Sequence, residues 1–289
     1  MQRRAVFNQL AVAGAAVAAS AVTATQALAQ TAPATAAPSG TSTLDKVQKS
    51  GVLRVAVIPG QEPYFHKDLV TNAWTGACLD MAADIATLLR AKVETVESSW
   101  GNQILDLQSG KVDLAFAVSP TPQRALVIDF STPMLVHSYT AIVRKGFAKT
   151  STWDDLNKPS VKIAVDIGST HETIARRYCP KANILGFKTR DEAVLAVATG
   201  RADCTVVLAV LAISTMKKNP TLGTLVIPKP TLTMPTNLGI RIETDPRWKN
   251  FLSVWADSNR ASGQTREWML KGFDALNIKP EDIPGDIQF

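Results

Sequence analysis

Ser119 and Arg124 carry the clearest chemistry in this chain. They lie in the stretch Gly110 to Pro133, GKVDLAFAVSPTPQRALVIDFSTP. A guanidinium presents a planar fork of donors that matches a carboxylate bidentately, and a nearby hydroxyl adds one more donor, so the pair is suited to gripping a small acid. The elements that must position them can be read on either side. Leu114 to Val118 is an unbroken apolar run that predicts a buried strand, and Ser119-Pro120-Thr121-Pro122 stops it before a short helix that begins near Arg124. Both groups therefore fall at the carboxyl end of a strand, where ligands of open α/β sheets bind. The same residues also admit a structural reading in which Arg124 pairs with Asp129.

An internal repeat organises the rest. Leu107-Gln108-Ser109-Gly110-Lys111-Val112-Asp113 and Val197-Ala198-Thr199-Gly200-Arg201-Ala202-Asp203 share one pattern: helix end, glycine, cation, apolar residue, aspartate, then an apolar strand. In each the glycine suits a helix C-cap and the strand starts after the acid, so two similar α/β units are expected. In the first, Val52 to Val57 predicts a strand, Ala77 to Arg90 a helix with Met81, Ile85, Leu88 and Leu89 on one face, Val93 to Val96 a strand, and Asn102 to Gln108 a helix after Trp100. In the second, strands are expected at Val161 to Asp166 and Asn183 to Phe187, and helices at Thr170 to Cys179 and Thr189 to Thr199. Thr189 with Glu192 forms a capping box, and Ser169 with Glu172 fits another. Beyond them, a helix near Val210 to Lys218, a strand at Leu225 to Ile227 and closing helices over Arg247 to Ala261 and Gln264 to Phe273 complete the chain.

The chain has 289 residues, enough for two domains with their own cores. Arg3-Arg4, the apolar stretch Leu10 to Val22 and Ala27-Leu28-Ala29 read as a signal peptide over residues 1–29, with export by the Sec route or, from the paired arginines, the twin-arginine route. Residues 30–43, mainly Ala, Pro, Thr, Ser and Gly, read as a flexible tether. The net charge is +6, or +4 without Arg3 and Arg4, and the excess is spread without basic runs, which argues against nucleic acid as a partner. Of three cysteines, Cys179 and Cys204 are the candidate disulfide pair, with buried free thiols the alternative, and Cys78 stands apart. Their spacings match no zinc or redox motif, so neither metal nor cofactor is expected.

The Gly110 to Pro133 stretch resembles the family 3 solute-binding proteins, the periplasmic receptors of polar amino-acid ABC importers, whose segment reads "SGKVDL…T.ER…DFS.PY". Here Gln123 replaces the glutamate and Met134 the tyrosine. Gly76, Asp80 and Ala82 also match that family's "GFD.D.A", without its aromatic and first acid. The resemblance covers Leu44 to about Asn277. It implies two doubly wound α/β lobes joined by a two-crossing hinge, the type II periplasmic binding protein fold, with lobe one at 44–143 and 236–289 and lobe two at 144–235. Crossings are expected at Arg144-Lys145-Gly146 and from Pro228 to Pro235.

By that resemblance Arg124 and Ser119 grip a ligand carboxylate together with Gly168, Ser169 and Thr170, at the start of a lobe-two helix whose amides and dipole favour an anion. Trp100 is expected to line the pocket, and Tyr64, in the loop Pro59 to Phe65, to cover the ligand. Leu208 stands where most amino-acid receptors of the family place the aspartate that meets the ammonium. Either the ligand lacks an α-amine or another acid serves, with Asp166 as the substitute. Gln61, Glu62 and His137 are further residues within reach. The expected function is a monomeric periplasmic binding component that hands a small carboxylate or amino acid to an inner-membrane ABC permease, with no catalytic residues and no enzyme activity. Two alternatives stand beside it: an enzyme like the periplasmic cyclohexadienyl dehydratases, which share the fold, and a ligand-sensing subunit for a membrane receptor.

Overall fold

The computed structural model describes residues 42–283. The expected signal peptide, and the tether up to residue 41, lie outside the described residues. Ser42 caps helix α1 (Thr43–Ser50) by accepting from the Asp45 amide, so the helix starts one residue before the expected Leu44.

The strands in chain order are β1 (Val52–Val57), β2 (His66–Lys67), β3 (Trp74–Thr75), β4 (Lys92–Glu97), β5 (Leu114–Val118), β6 (Asp129–Arg144), β7 (Lys162–Asp166), β8 (Asn183–Phe187), β9 (Cys204–Leu208), β10 (Gly223–Val226) and β11 (Thr233–Ile240). Between them run α2 (Ala77–Leu88), α3 (Asn102–Gln108), α4 (Pro122–Ala125), α5 (Trp153–Leu156), α6 (Thr170–Tyr178), α7 (Arg190–Ala198) and α8 (Ala209–Lys218), and α9 (Arg247–Ala261) and α10 (Gln264–Asp274) close the chain. The sheet order is β4-β1-β5-β11-β6-β9-β7-β8, with β10 also on β6. At one end β4, β1 and β5 are parallel, and at the other β8, β7 and β9 are, so each half holds the same parallel trio flanked by antiparallel strands.

The repeated glycine-to-aspartate pattern has a physical cause. Gly110 and Gly200 both take left-handed φ, at 69° and 72°, which a glycine tolerates without steric penalty. Asp113 then accepts from the Arg54 amide at 3.0 Å, and Asp203 from the Lys162 amide at 2.9 Å. In each half the aspartate thus ties the third strand of the trio to the start of the first. Each also takes an arginine, Arg54 Nη2 on Asp113 at 2.6 Å and Arg144 Nε on Asp203 at 3.0 Å.

Strand β6 is longer than the sequence pattern suggests. The apolar run Tyr139 to Val143 is only its second half, because Pro133 and the polar residues of DFSTP hide the first. Residues up to Ser138 pair with β11, and from Tyr139 the partner is β9, with β10 on the other edge. Likewise β11 begins at Thr233, inside the stretch expected to be a crossing, and tolerates Pro235 there. The thiols of Cys78, Cys179 and Cys204 are free and buried, so the Cys179–Cys204 pairing is absent. Among the described residues no helix is long and apolar enough to cross a membrane.

The Asp113 side chain is 3% exposed and also meets Lys46, whereas that of Asp203 is 15% exposed. Asp113→Ala should therefore lower the unfolding free energy by about 3 kcal/mol and Asp203→Ala by about half of that, measured by urea denaturation.

Candidate functional site

Strand β5 ends in a kink that aims its last residues. Asn237 pairs with Val118 and Gly239 with Ala115, so one residue of β11 lies opposite two of β5, and there Ala117 takes φ 57°. This is a β-bulge with an alanine in the left-handed region, a conformation that costs about 1 kcal/mol or more and re-aims the chain beside a site. Ser119 follows, buried at 2% exposure. Thr121 caps α4, accepting from the Arg124 amide, and Pro122 occupies the first turn.

Arg124 spans the cleft between the two halves of the sheet. Its Nη1 donates to the Ser119 carbonyl at 2.9 Å and its Nη2 to the Gly168 carbonyl at 3.0 Å. These use two of the five N–H donors of a guanidinium. No carboxylate pairs with it among the described residues: Asp129, the structural alternative, is paired with Lys249 at 2.8 Å. Burial draws the Arg124 pKa down from its ordinary value, against the opposing influence of Tyr139. A partly buried cation without a counter-charge is an electrostatic demand for an anion.

Facing it, the start of α6 supplies the second wall. Gly168 takes φ 78°, and a Cβ there would lie 2.7 Å from the Gly101 Cα, so the turn sits directly against the residue after Trp100. Ser169 is the N-cap, accepting from the Glu172 amide at 3.3 Å, but Glu172 returns to the Gly168 amide rather than to that of Ser169, so the expected box is displaced by one residue. Trp100, Ala117, Ser119, Arg124, Ser169 and Thr170, joined by His171 and Leu208, line a tight cavity of about 10 Å³, room for roughly one water molecule with the walls this close. The Tyr139 phenol lies beside it, its pKa pushed up to about 12 by burial despite hydrogen bonds to Thr170 and Ser119 and the charge of Arg124.

Three sequence-predicted residues do not line this cavity. Asp166 is turned away into a buried cluster: Arg190 Nη2 donates to its Oδ2 at 2.7 Å, Ser169 Oγ donates to its Oδ1 at 3.1 Å, and His171 Nδ1 lies 3.1 Å from Oδ1. Burial would raise its pKa, but the Arg190 guanidinium outweighs that and holds the carboxyl well below the usual range. Asp166 neutralises a buried arginine and is no longer available to an ammonium. Tyr64 is fully buried, its hydroxyl 3.3 Å from His137 Nε2, because β6 places a partner for the phenol inside the core rather than in the cleft. Gly168 contributes its carbonyl to Arg124 and its amide to Glu172, so it shapes the wall without lining it. Glu62 is held by Lys218 and His66, each within 3.2 Å.

Sequence reasoning missed His171 and Arg190. His171 directly follows Thr170 and so lay within the turn already singled out. Arg190 carried no such signal, since the first residue after a capping threonine is ordinarily exposed.

Residues 53–277 match the bacterial extracellular solute-binding proteins, family 3. The chain belongs to that family. This family 3 protein is 31% identical to the cyclohexadienyl dehydratase of Pseudomonas aeruginosa over 164 residues, 56% of this chain and 61% of that enzyme, so it spans less than two thirds of that relative. Among solved structures it is 33% identical to an ancestral amino acid-binding protein that is a precursor of cyclohexadienyl dehydratase, with a TM-score of 0.70 over 81% of this chain and 99% of that one. It is 26% identical to an amino acid ABC transporter substrate-binding protein of Streptococcus pneumoniae solved with L-arginine, with a TM-score of 0.72 over 81% and 98% of the two chains. The architecture is that of the type II periplasmic binding proteins, mixed α/β with two lobes. The expectation that the chain is not an enzyme is corrected by these relatives: an enzyme of this fold stands among them at 31% identity.

His137 gives the fold a pH signature. Burial lowers its pKa to about 3, so the unfolded chain binds a proton that the folded chain refuses. Stability should therefore fall as the pH drops below about 6.5, by up to about 1.4 kcal/mol per unit, and level off near pH 3. Urea midpoints between pH 7.5 and 4 should show this slope, and His137→Gln should flatten it.

Proposed function

We propose that this family 3 protein captures a small carboxylate between its two lobes, with Arg124 and Ser119 on one wall and Thr170 and the N-terminus of α6 on the other. The observation that carries this is Arg124, a partly buried guanidinium with three donors uncommitted and no carboxylate partner among the described residues. In this reading the lobes comprise 44–143 with 236–289 and 144–235, and β6 and β11 form the crossings. Closing brings Gly168 onto Gly101 and lets one ligand bridge both walls, so occupancy and shape share a single equilibrium. Export to the periplasm and delivery to an ABC permease complete the proposal, supported by the transporter component of Streptococcus pneumoniae among its neighbours.

A second reading has a specific observation in its favour: the likeness to cyclohexadienyl dehydratase. The same grip would hold a carboxylate substrate while a group on the cavity wall handles a proton. Incubation with prephenate or arogenate, followed by detection of the aromatic product, separates the two. Product formation above the uncatalysed rate, lost in Arg124→Ala, is expected only if the chain is an enzyme.

For either reading Arg124→Ala should weaken carboxylate binding at least about 100-fold, a loss of about 3 kcal/mol, while leaving the urea midpoint near that of the parent. Calorimetry on whichever acid binds the parent protein checks this, and unchanged affinity would remove Arg124 from the site.

A further inference from the structure

The polar groups on the cavity wall are donors. Arg124 offers only N–H groups, Ser119, Ser169 and Thr170 offer hydroxyls, and among the described residues no aspartate or glutamate lines the space. Two further lining residues carry buried nitrogens without a partner, Trp100 Nε1 and His171 Nε2, on side chains 7% and 2% exposed. An indole nitrogen can only donate. The role of the imidazole follows from its other edge. Arg190 Nη2, which has only protons to give, lies 2.8 Å from His171 Nδ1. Taking Nδ1 as the acceptor of this shorter contact places the proton of the neutral ring on Nε2. The competing contact from Nδ1 to Asp166 Oδ1 is longer at 3.1 Å, while the Ser169 hydroxyl lies 2.7 Å from the Asp166 carbonyl oxygen and 3.1 Å from Oδ1. Burial and the charge of Arg190 keep the ring neutral.

We infer that the ligand is an amine-free carboxylate with a second acceptor oxygen close to its carboxyl group, a 2-oxo acid being the simplest member, and that His171 Nε2–H reads that oxygen. The inference rests on the carboxylate grip proposed above. An α-ammonium would meet Leu208, Trp100 and a set of donors, with the nearest buried carboxylate, Asp166, committed to Arg190. A carbonyl oxygen at the same carbon instead satisfies a donor that otherwise stays buried and unpaired. His171 directly follows Thr170, so its donor lies beside the place where the carboxylate is held. Asp166 and Arg190 act through it, as positioning residues that set its tautomer.

Matched pairs test the assignment: 2-oxoglutarate against L-glutamate, 2-oxoisovalerate against L-valine and phenylpyruvate against L-phenylalanine, by calorimetry on the purified full chain. At least one 2-oxo acid should bind ten times or more tighter than its amino-acid partner. His171→Asn keeps an amide where Nδ1 stood and removes the outer donor, so it should erase that preference. His171→Gln, which restores an outer amide, should recover part of it. A general loss of folding would lower both members of a pair together, so the ratio isolates the specific role. An amino acid that binds as tightly as its 2-oxo partner, and is lost in Arg124→Ala, overturns this ligand class and leaves the carboxylate grip standing. Binding that survives Arg124→Ala overturns the grip itself, and failure of every pair to bind overturns both.

Discussion

Strand β6 runs through both halves of the sheet. β6 runs sixteen residues, and its backbone donors and acceptors are satisfied by β11 over its first half and by β9 and β10 over its second. A strand that changed partners without continuity would leave buried amides unpaired at the change, a cost comparable to several lost hydrogen bonds. Because the change falls between Ser138 and Tyr139, the residues around it, His137 and Tyr139, become part of the floor between the halves. The cavity, the Tyr64–His137 contact and the Tyr139–His171 contact, with ring centres 6.1 Å apart, all depend on that passage.

Charge inside the cleft follows a division of labour. Asp166 and Arg190 neutralise each other within one half, and among the described residues no carboxylate lines the cavity. Arg124, at the end of the other half, keeps its charge without a partner and spends two donors on carbonyls from opposite walls. The first pair makes a rigid buried cluster that holds the His171 ring. The second arrangement leaves an attractive field for an anion and a contact that weakly favours approach of the walls even before a ligand arrives. Removing acids from the wall and retaining the arginine is a consistent physical signature, and Leu208 is part of it.

The sequence by itself determined the layout of the fold and half of the site. The glycine-to-aspartate repeat announced two matching α/β units, since it encodes a local hydrogen-bond pattern, a left-handed cap followed by an aspartate on a neighbouring amide. The apolar run Leu114 to Val118 and the proline stop after Ser119 placed Ser119 and Arg124 at a strand end, and the capping residues Thr189 and Ser169 marked helix starts where the structure has them. All of these are interactions within a few residues or along one strand.

Only the tertiary structure decided where Asp166 and Tyr64 point, because each depends on a partner distant in sequence: Arg190 for the acid, His137 for the phenol. It also decided the first half of β6, where Pro133 interrupts the alternation that local reading requires, and the contact of the His171 ring with a guanidinium nineteen residues away. The reason is the same in each case. Burial makes an unpaired polar group expensive, so side chains turn to whichever partner the fold brings within reach, and that partner is not written in the neighbouring sequence.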